Sequence, residues 1–432
     1  MREIVVGTNE AGQRLDKLIR KYLRAADNGF LYKMLRKKNI VLNDRKAAGS
    51  ETLREGDIVR MYFSEDTFAV MTGESAAGGG QKAHPSAGHG EGGDRHHGGR
   101  AEDRHSGCKE ERRRNADEAV IPAGTIIYED DSLLVISKPA GWLSQSDGSG
   151  AVSVNERCLA YLRAKGELSD AQLRTFRPGI ANRLDRNTTG LLLFGKTLPA
   201  LQALGRMLKD RSLAKYYLTV VSGHLRPEEL SGGTIKEDGD AAHGTEGGMM
   251  GGSGREESGA GSAAGSGWCT VRGYLRKDPR TNRVEIRKDP FPEAAEIHTA
   301  FRILGYGAQQ SCTALLVHLV TGKTHQIRAH LSACGHPVLG DPKYGDMRAN
   351  RFFREQYGVR SQLLHAYRLH FPEHCRDVFP ALAGKELTAP PTAVMQKLLL
   401  AAGISLEQLS TDGIITGGAS PESTSTGKKS LC

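Results

Sequence analysis

The chain has 432 residues with 59 Lys and Arg against 50 Asp and Glu, a modest basic excess that suits a nucleic-acid partner without requiring one. Its apolar runs are far shorter than the roughly 20 residues of a membrane-spanning helix, and the start of the chain predicts no signal peptide. The seven cysteines are scattered without a C-x-x-C pair, so we expect no disulfide framework, no zinc site and a cytoplasmic protein.

Residues 1–66 predict a small basic α/β module. Residues 1–63 hold 14 Lys and Arg against 8 Asp and Glu, and apolar residues from Leu15 to Leu23 follow helical spacing. A second short helix is predicted over 30–35, and strands over 40–42 and 58–63. The basic surface is either an RNA-binding face or an ordinary solvated face. The candidate RNA-binding side chains of this module are Arg14, Lys17, Arg36, Lys37, Lys38 and Arg45.

Three segments lack hydrophobic periodicity. Residues 67–120 are rich in Gly and His and predict a disordered linker. Residues 231–266, rich in Gly, Ser and Ala, predict a flexible insert, and residues 403–432 predict a disordered polar tail. The remaining residues, 121–402, are then the second folded domain.

The second domain is expected to be of the α+β class. Residues 126–136 predict a hairpin, and Leu198, Leu201, Leu204 and Leu208 lie at helical spacing. Further strands are predicted near 215–221, 300–304 and 314–320. Because strands outnumber helices and do not alternate with them, we expect a mixed, largely antiparallel sheet flanked by helices and loops.

The most informative stretch is residues 182–194, N-R-L-D-R-N-T-T-G-L-L-L-F. Asp185 lies between two arginines and before turn-forming residues, and the apolar run from Leu191 to Phe194 predicts a buried strand. A carboxylate on a polar loop that is anchored to a core strand can be kept ionised and aimed. A turn aspartate that bonds its own backbone is the alternative.

The same stretch also matches a phosphate-binding loop. Residues 190–197 read G-L-L-L-F-G-K-T, which satisfies the P-loop pattern. A working P-loop follows an apolar strand and places a flexible polar loop between its glycines. Here the preceding residues are polar and the intervening ones are Leu191 to Phe194, so nucleotide binding is disfavoured.

Several motifs, in order from about 123 to 395, resemble the RluA-type pseudouridine synthases. Besides residues 183–194 these are K-P-A-G at 138–141, K-Y-Y at 215–217, T-G-K-T-H-Q-I-R at 321–328 and G-D-P-K-Y-G at 340–345. Residues 1–66 resemble the S4-type RNA-binding domain, through G-Q-R-L-D-K at 12–17, K-K-N-I at 37–40 and E-G-D at 55–57. The resemblance implies isomerisation of uridine to pseudouridine, most typically in large-subunit (23S) ribosomal RNA.

The resemblance also assigns roles to residues. It makes Asp185 the catalytic carboxylate, either as nucleophile on the sugar or as base at C2′. Arg328 would pair with this aspartate, and Tyr217 would stack on the target uracil, since strand alternation lets only one of Tyr216 and Tyr217 face the site. Arg183 would enter the RNA stack and Lys215 would support the strand or bind RNA.

The implied reaction needs no redox cofactor, metal or nucleotide, and the implied partner is RNA, bound by a monomer. The chain departs from the family at Asn182, where histidine is usual, and at Lys323, where arginine is frequent. The alternative from another class is a non-catalytic RNA-binding or ribosome-assembly protein built on the synthase fold.

Overall fold

The computed structural model describes residues 1–73, 120–231, 267–307, 309 and 311–411. The described residues form two compact units. Unit 1 comprises the described parts of 1–186, 191–213 and 370–387, and unit 2 comprises those of 187–190, 214–369 and 388–432. Within the described ranges, no helix has both the length and the apolarity to cross a membrane.

Unit 1 begins with a small α/β module. Its four strands lie in the order β1-β4-β2-β3, and every pair is antiparallel. The elements are β1 Arg2–Val5, α1 Leu15–Tyr22, α2 Asn28–Arg36, β2 Ile40–Leu42, β3 Arg45–Lys46, β4 Ile58–Met61 and α3 Glu65–Thr72.

Local sequence explains this module well. The predicted apolar stripe of α1 is buried, and Asp16 lies in the first helical turn. Asp27 caps α2 by accepting a hydrogen bond from the Phe30 amide. Asn43 and Asp44 both have positive φ, as the tight turn between two antiparallel strands requires. The predicted helices and strands are confirmed.

Helix α3 corrects the predicted start of the linker. Residues 67–72 of this helix were predicted to belong to the disordered linker, because the apolar periodicity of the helix is weak. Ser64 caps the Thr67 amide, and Gly73 ends the helix with φ +79°. Likewise α11, Leu406–Thr411, lies in the predicted tail. Residues 74–119, 232–266 and 412–432, where the rest of the linker, the insert and the tail were predicted, lie outside the described residues.

The rest of unit 1 surrounds the strand that follows Asp185. Strands β8, β6 and β5 are neighbours, and β7 pairs antiparallel with β8. Their apolar side chains pack against α4, with Leu192 and Phe194 in the core. The elements are β5 Ile126–Glu129, β6 Leu133–Lys138, α4 Val154–Ala164, α5 Gln172–Thr175, β7 Gly179–Ile180, β8 Thr189–Gly195 and α6 Leu198–Lys209.

The small module contacts this part of unit 1 directly. The Thr175 hydroxyl donates to the carboxylate of Glu10 at 2.5 Å, and the Leu198 amide donates to the side chain of Asn9 at 3.3 Å. These bonds join the module to α5 and to the start of α6. Apart from the starts of the linker and of the tail, which α3 and α11 correct, the predicted domain boundaries stay a prediction.

Unit 2 is built on a mixed, largely antiparallel sheet. Its strands run in the order β11-β10-β12-β13-β9-β14, and the four successive pairs from β11 to β9 are antiparallel. The elements are β9 Ala214–Ser222, α7 Pro227–Ser231, β10 Trp268–Lys277, β11 Val284–Arg287, β12 Ala295–Gly307, β13 Cys312–Leu319, α8 Gln326–Ala333, α9 Met347–Tyr357, β14 Leu364–His370, α10 Ala393–Ala401 and α11. Strand β15, Glu386–Thr388, begins among the residues of unit 1 and ends at the first residue of the last segment of unit 2.

Strand β14 pairs in parallel with Thr189 and Gly190, the first residues of β8. Gly190 has φ +101°, and a Cβ at this position would lie 2.2 Å from the carbonyl oxygen of Ala366. Only glycine therefore allows this close approach of two backbones. The α+β class and the mixed sheet are confirmed.

Candidate active site

Asp185 lies on the loop between β7 and β8. The side chain of Asp185 is partly buried, Leu184 before it is buried, and Arg183 and Arg186 are exposed. Buried Leu184 anchors the loop, while the arginines on either side reach solvent. The sequence predicted this polar loop before a buried strand.

A serine holds the peptide unit before Asp185. The Ser144 hydroxyl donates to the Leu184 carbonyl at 2.7 Å and accepts from the Leu184 amide at 3.0 Å. Because Ser144 is buried, water does not readily replace its hydroxyl, and loss of the hydroxyl would leave the Leu184 amide and carbonyl unpaired. One side chain thereby fixes both polar backbone groups of Leu184.

A buried lysine holds the other side of the loop. The Lys138 ammonium donates to the carbonyls of Pro139, Trp142 and Arg186 at 3.1, 3.0 and 2.9 Å. The Gly141 amide also donates to the Arg186 carbonyl, at 3.0 Å. Burial lowers the pKa of Lys138 to about 7, although the nearby charge of Asp185 favours the ammonium. Both neighbours of Asp185 are thus fixed by the segment that runs from Lys138, the last residue of β6, to Ser144.

Asn182, where the chain departs from the family pattern, serves the backbone. Its side-chain oxygen accepts from the Leu193 amide at 2.8 Å, and its nitrogen donates to the Leu191 carbonyl at 3.4 Å. The amide group thereby continues the pairing of β7 with β8. This role accounts for an asparagine at the position.

The P-loop interpretation is incompatible with the geometry. The four apolar residues between its glycines lie inside β8, and every one of them is fully buried. The Lys196 ammonium lies 3.2 Å from the Glu129 carboxylate and 2.5 Å from that of Glu167. A P-loop lysine has to point at phosphates, whereas this one is neutralised by two acids.

In unit 2, strand β9 carries two predicted site residues, Lys215 and Tyr217, with Tyr216 between them. Tyr216 packs in the apolar core and stacks on His318 at 4.8 Å between ring centroids. Tyr217 is therefore the tyrosine on the opposite face, as alternation predicts. Lys215 and Tyr217 are both buried, at 9% and 6% exposure, and their proposed contacts with RNA stay predictions.

The residues before Arg328 form a closed hydrogen-bond network. The Gln326 side chain accepts from the Thr321 hydroxyl at 2.9 Å and from the Lys323 amide at 3.0 Å. Its nitrogen donates to the His298 carbonyl and the Thr299 hydroxyl at 3.1 and 2.9 Å. This buried amide fixes the start of α8 and with it the direction of Arg328.

Arg328 makes a buried two-point ion pair with Asp341. Its Nε and Nη2 donate to the two carboxylate oxygens at 2.7 and 2.9 Å, and both side chains are almost fully buried. Burial opposes ionisation of Asp341, but Arg328 and the amides of Lys343 and Tyr344 outweigh it and lower the pKa of Asp341. This role of Asp341 was not predicted from the sequence, although the G-D-P-K-Y-G motif contains the residue.

The predicted site residues fall in different units. Asp185 and Arg183 belong to unit 1, whereas Lys215, Tyr217 and Arg328 belong to unit 2. The expected pair of Asp185 with Arg328 therefore stays a prediction. The six basic residues that were singled out in the small module are all exposed. In the part of the chain that the structure describes, no group of three or more His, Cys, Asp or Glu could hold a metal ion.

Comparison with known proteins points to one activity. The family described as RNA pseudouridylate synthase matches residues 132–333. The Ribosomal large subunit pseudouridine synthase C of Vibrio cholerae is 26% identical over 397 residues, 92% of this chain and 95% of that protein. An uncharacterized RNA pseudouridine synthase of Mycoplasma genitalium is 28% identical over 262 residues, 61% of this chain and 68% of its own length. Human RNA Pseudouridylate Synthase Domain Containing 4 has a TM-score of 0.46 at 17% identity, covering 68% of this chain and 99% of its own.

Proposed function

Because the chain belongs to the RluA-type RNA pseudouridine synthases, we propose that it isomerises uridine in large-subunit ribosomal RNA with Asp185 as the catalytic carboxylate. The observation that best supports this role of Asp185 is that hydrogen bonds fix its loop on both sides of the residue. Ser144 holds Leu184 on one side, and Lys138 holds Arg186 on the other. A reactive group has to be held within a fraction of an ångström, and this support supplies that precision.

The reaction is an internal exchange of bonds. The bond between N1 of uracil and C1′ of the ribose breaks, the base turns over, and a new bond joins C5 to C1′. C5 then loses its proton while N1 gains one, so atoms and electrons balance without a co-reactant. A glycoside hydrolase would instead use two carboxylates and a water molecule.

Two roles for Asp185 fit this chemistry. As a nucleophile it would form a covalent bond with the sugar carbon and release uracil. As a base it would remove the proton at C2′ and so promote departure of uracil. Both require an ionised carboxylate that is aimed at the ribose, which a rigid loop favours.

We assign supporting roles to residues of unit 2. Arg328, which the two-point pair with Asp341 holds in a fixed orientation, would also pair with Asp185 and keep that carboxylate ionised. Tyr217 would stack on the uracil and help to move the C5 proton, and Lys215 would contact RNA or support the strand. In unit 1, exposed Arg183 would fill the space of the flipped nucleotide, because a base inside a duplex has to leave the stack before it reacts.

The small basic module would dock onto folded RNA as an S4-type domain. Its exposed lysines and arginines can neutralise phosphates, and relatives named as large-subunit synthases match nine-tenths of the chain, a share that has to include part of the module. That the protein is a monomer and acts in the cytoplasm stays a prediction.

The test is a substrate comparison. Purified protein is incubated with an unmodified large-subunit ribosomal RNA transcript and, separately, with unmodified transfer RNA transcripts, and pseudouridine is mapped at single-nucleotide resolution. The proposal expects one or a few sites in the ribosomal transcript. Modification of transfer RNA alone would overturn the ribosomal assignment, and no modification of either RNA would favour a binding protein on a synthase fold.

A further inference from the structure

Helix α9, Met347–Tyr357, has a buried face that fixes its position in unit 2. Phe353 is 2% exposed and lies in the apolar core, with Ala349 and Tyr357 packed against the same cluster. Asp346 caps the helix through the amides of Arg348 and Ala349. The helix is therefore a rigid element, and its opposite face is presented in a fixed orientation.

The opposite face combines arginines with exposed apolar side chains. Arg348, Arg351 and Arg354 are exposed, and among the described residues none of their guanidinium groups has a hydrogen-bond or ion-pair partner. Phe352 is 46% exposed and Met347 is 85% exposed. Glu355 is the one acidic side chain of the helix. We call this set, residues 347, 348, 351, 352 and 354, the arginine–phenylalanine face.

An ordinary solvated helix would carry the arginines, and Phe352 also packs edge-on against Phe353 at 5.3 Å between ring centroids, but the exposed part of its ring beside three arginines is a feature that a docking surface can use. Exposing a phenyl ring and a long thioether on a charged face has a solvation cost, and such surfaces are enriched in binding sites. Guanidinium groups bind phosphates through two parallel N–H bonds, and exposed aromatic rings stack on bases. The combination fits an RNA strand with at least one unstacked base.

The helix is also tied to Arg328. The Asn350 side chain accepts from the Gly340 amide at 2.7 Å and donates to the Asp341 carbonyl at 2.9 Å. The carboxylate of Asp341 in turn grips Arg328. Asn350 is the sequence neighbour of Arg351. A ligand bound to α9 would therefore contact the helix that is hydrogen-bonded to the turn that orients Arg328.

We propose that the arginine–phenylalanine face of α9 is an RNA-docking surface that holds phosphates and one unstacked base of the RNA substrate. This inference rests on the proposed function for the identity of the RNA. It differs from the proposed docking by the small module, because α9 lies in unit 2. Two observations indicate RNA as the ligand. The arginines complement the charge of phosphates, and the exposed ring of Phe352 lies beside them.

Binding is measured apart from catalysis. The full chain carrying Asp185→Asn is titrated with labelled large-subunit ribosomal RNA transcript over a range of salt concentrations. Adding Arg348→Gln, Arg351→Gln and Arg354→Gln is expected to weaken binding at least tenfold at 0.15 M salt. The slope of log affinity against log salt should fall by about 2, since each phosphate contact with a single strand contributes about 0.7.

A matched variant removes the same charge elsewhere. Arg206→Gln, Lys209→Gln and Lys397→Gln lie on exposed positions of α6 and α10 and should change the affinity less than threefold. Phe352→Ala should weaken binding about tenfold, and Phe352→Tyr, which keeps the ring, should restore it. Equal loss in both charge variants, or binding unchanged by the α9 variants, would overturn the proposal. Because the measurement is of binding by an Asp185→Asn protein, it is independent of whether Asp185 is catalytic.

Discussion

The hydroxyl of Ser144 bonds both polar backbone groups of Leu184, at 2.7 and 3.0 Å, forty residues away along the chain. Leu184 immediately precedes Asp185, so the position of the carboxylate depends on a side chain from another segment. Together with the grip of Lys138 on Arg186, this fixes the Asp185 loop from both ends.

Ser144→Ala is expected to lower kcat by about 10- to 100-fold, because small displacements of a reacting group are costly. The unfolding free energy should fall by only about 1–3 kcal/mol, the usual result of leaving a buried peptide unpaired. Single-turnover kinetics at saturating RNA and denaturant unfolding measure the two effects.

Ser146→Ala provides the control, because Ser146 is an exposed serine of the same loop. Equal kcat values for Ser144→Ala and the wild type would show that the loop does not depend on this hydroxyl. A lower affinity for RNA with unchanged kcat would also contradict the positioning role.

Asp341→Asn removes the carboxylate charge that the buried Arg328 guanidinium grips through two hydrogen bonds. Breaking one partner of a buried ion pair costs roughly 3–5 kcal/mol of unfolding free energy. We expect a loss of this size, and a fall in kcat because Arg328 loses its orientation. The matched change is Glu285→Gln in the exposed pair of Arg276 with Glu285, which should cost no more than about 1 kcal/mol. Similar losses in the two variants would contradict the account.

Because His365 is buried, we expect the protein to lose stability in mild acid. Its Nδ1 bonds the Thr189 hydroxyl at 2.8 Å and its Nε2 bonds the Ala389 carbonyl at 3.0 Å. Burial lowers the pKa of His365 to about 4, against 6.5 for an ordinary histidine. Between these values the unfolded chain binds a proton that the folded chain does not, so stability is full above pH 6.5 and falls as the pH approaches 4.

For this single group the effect amounts to at most roughly 3 kcal/mol. Chemical denaturation at pH 7.5, 6, 5 and 4.5 should show a shallower decline for His365→Gln than for the wild type. His374→Gln, at an exposed histidine, should follow the wild type. Parallel curves for His365→Gln and the wild type would refute the assignment.

Lys196 predicts the absence of nucleotide binding. Because its ammonium is held by Glu129 and Glu167, calorimetric titration with ATP or GTP and Mg²⁺ should give no saturable binding below about 1 mM. Lys196→Ala should instead destabilise the fold, and more than Lys165→Ala, since Lys165 meets the same two acids from an exposed position. Nucleotide binding that is lost in Lys196→Ala would revive the P-loop interpretation.

Local patterns predicted the parts of the fold that depend on neighbours in sequence. The apolar run from Leu191 to Phe194 predicts β8, and the stripe on α1 predicts the core of the small module. Helix α3 was missed, although Ser64 and Gly73 are recognisable capping residues, because its eight residues show little apolar periodicity.

The support of the site was not predictable in the same way. Ser144, Lys138 and Asp341 act on backbone or side chains 40, 48 and 13 residues away. Such pairings depend on the three-dimensional path of the chain, and a serine or lysine in a loop gives no sign of its distant partner. The resemblance supplied the motifs, and the structure supplied the contacts between them.

The most direct test of the central claim is the single-turnover rate of Asp185→Asn on large-subunit ribosomal RNA transcript, with RNA affinity measured in parallel. The account predicts RNA binding within about threefold of the wild type and a rate at least 1,000-fold lower, since the amide can act neither as nucleophile nor as base. Pseudouridine formation at an undiminished rate by Asp185→Asn would contradict the account.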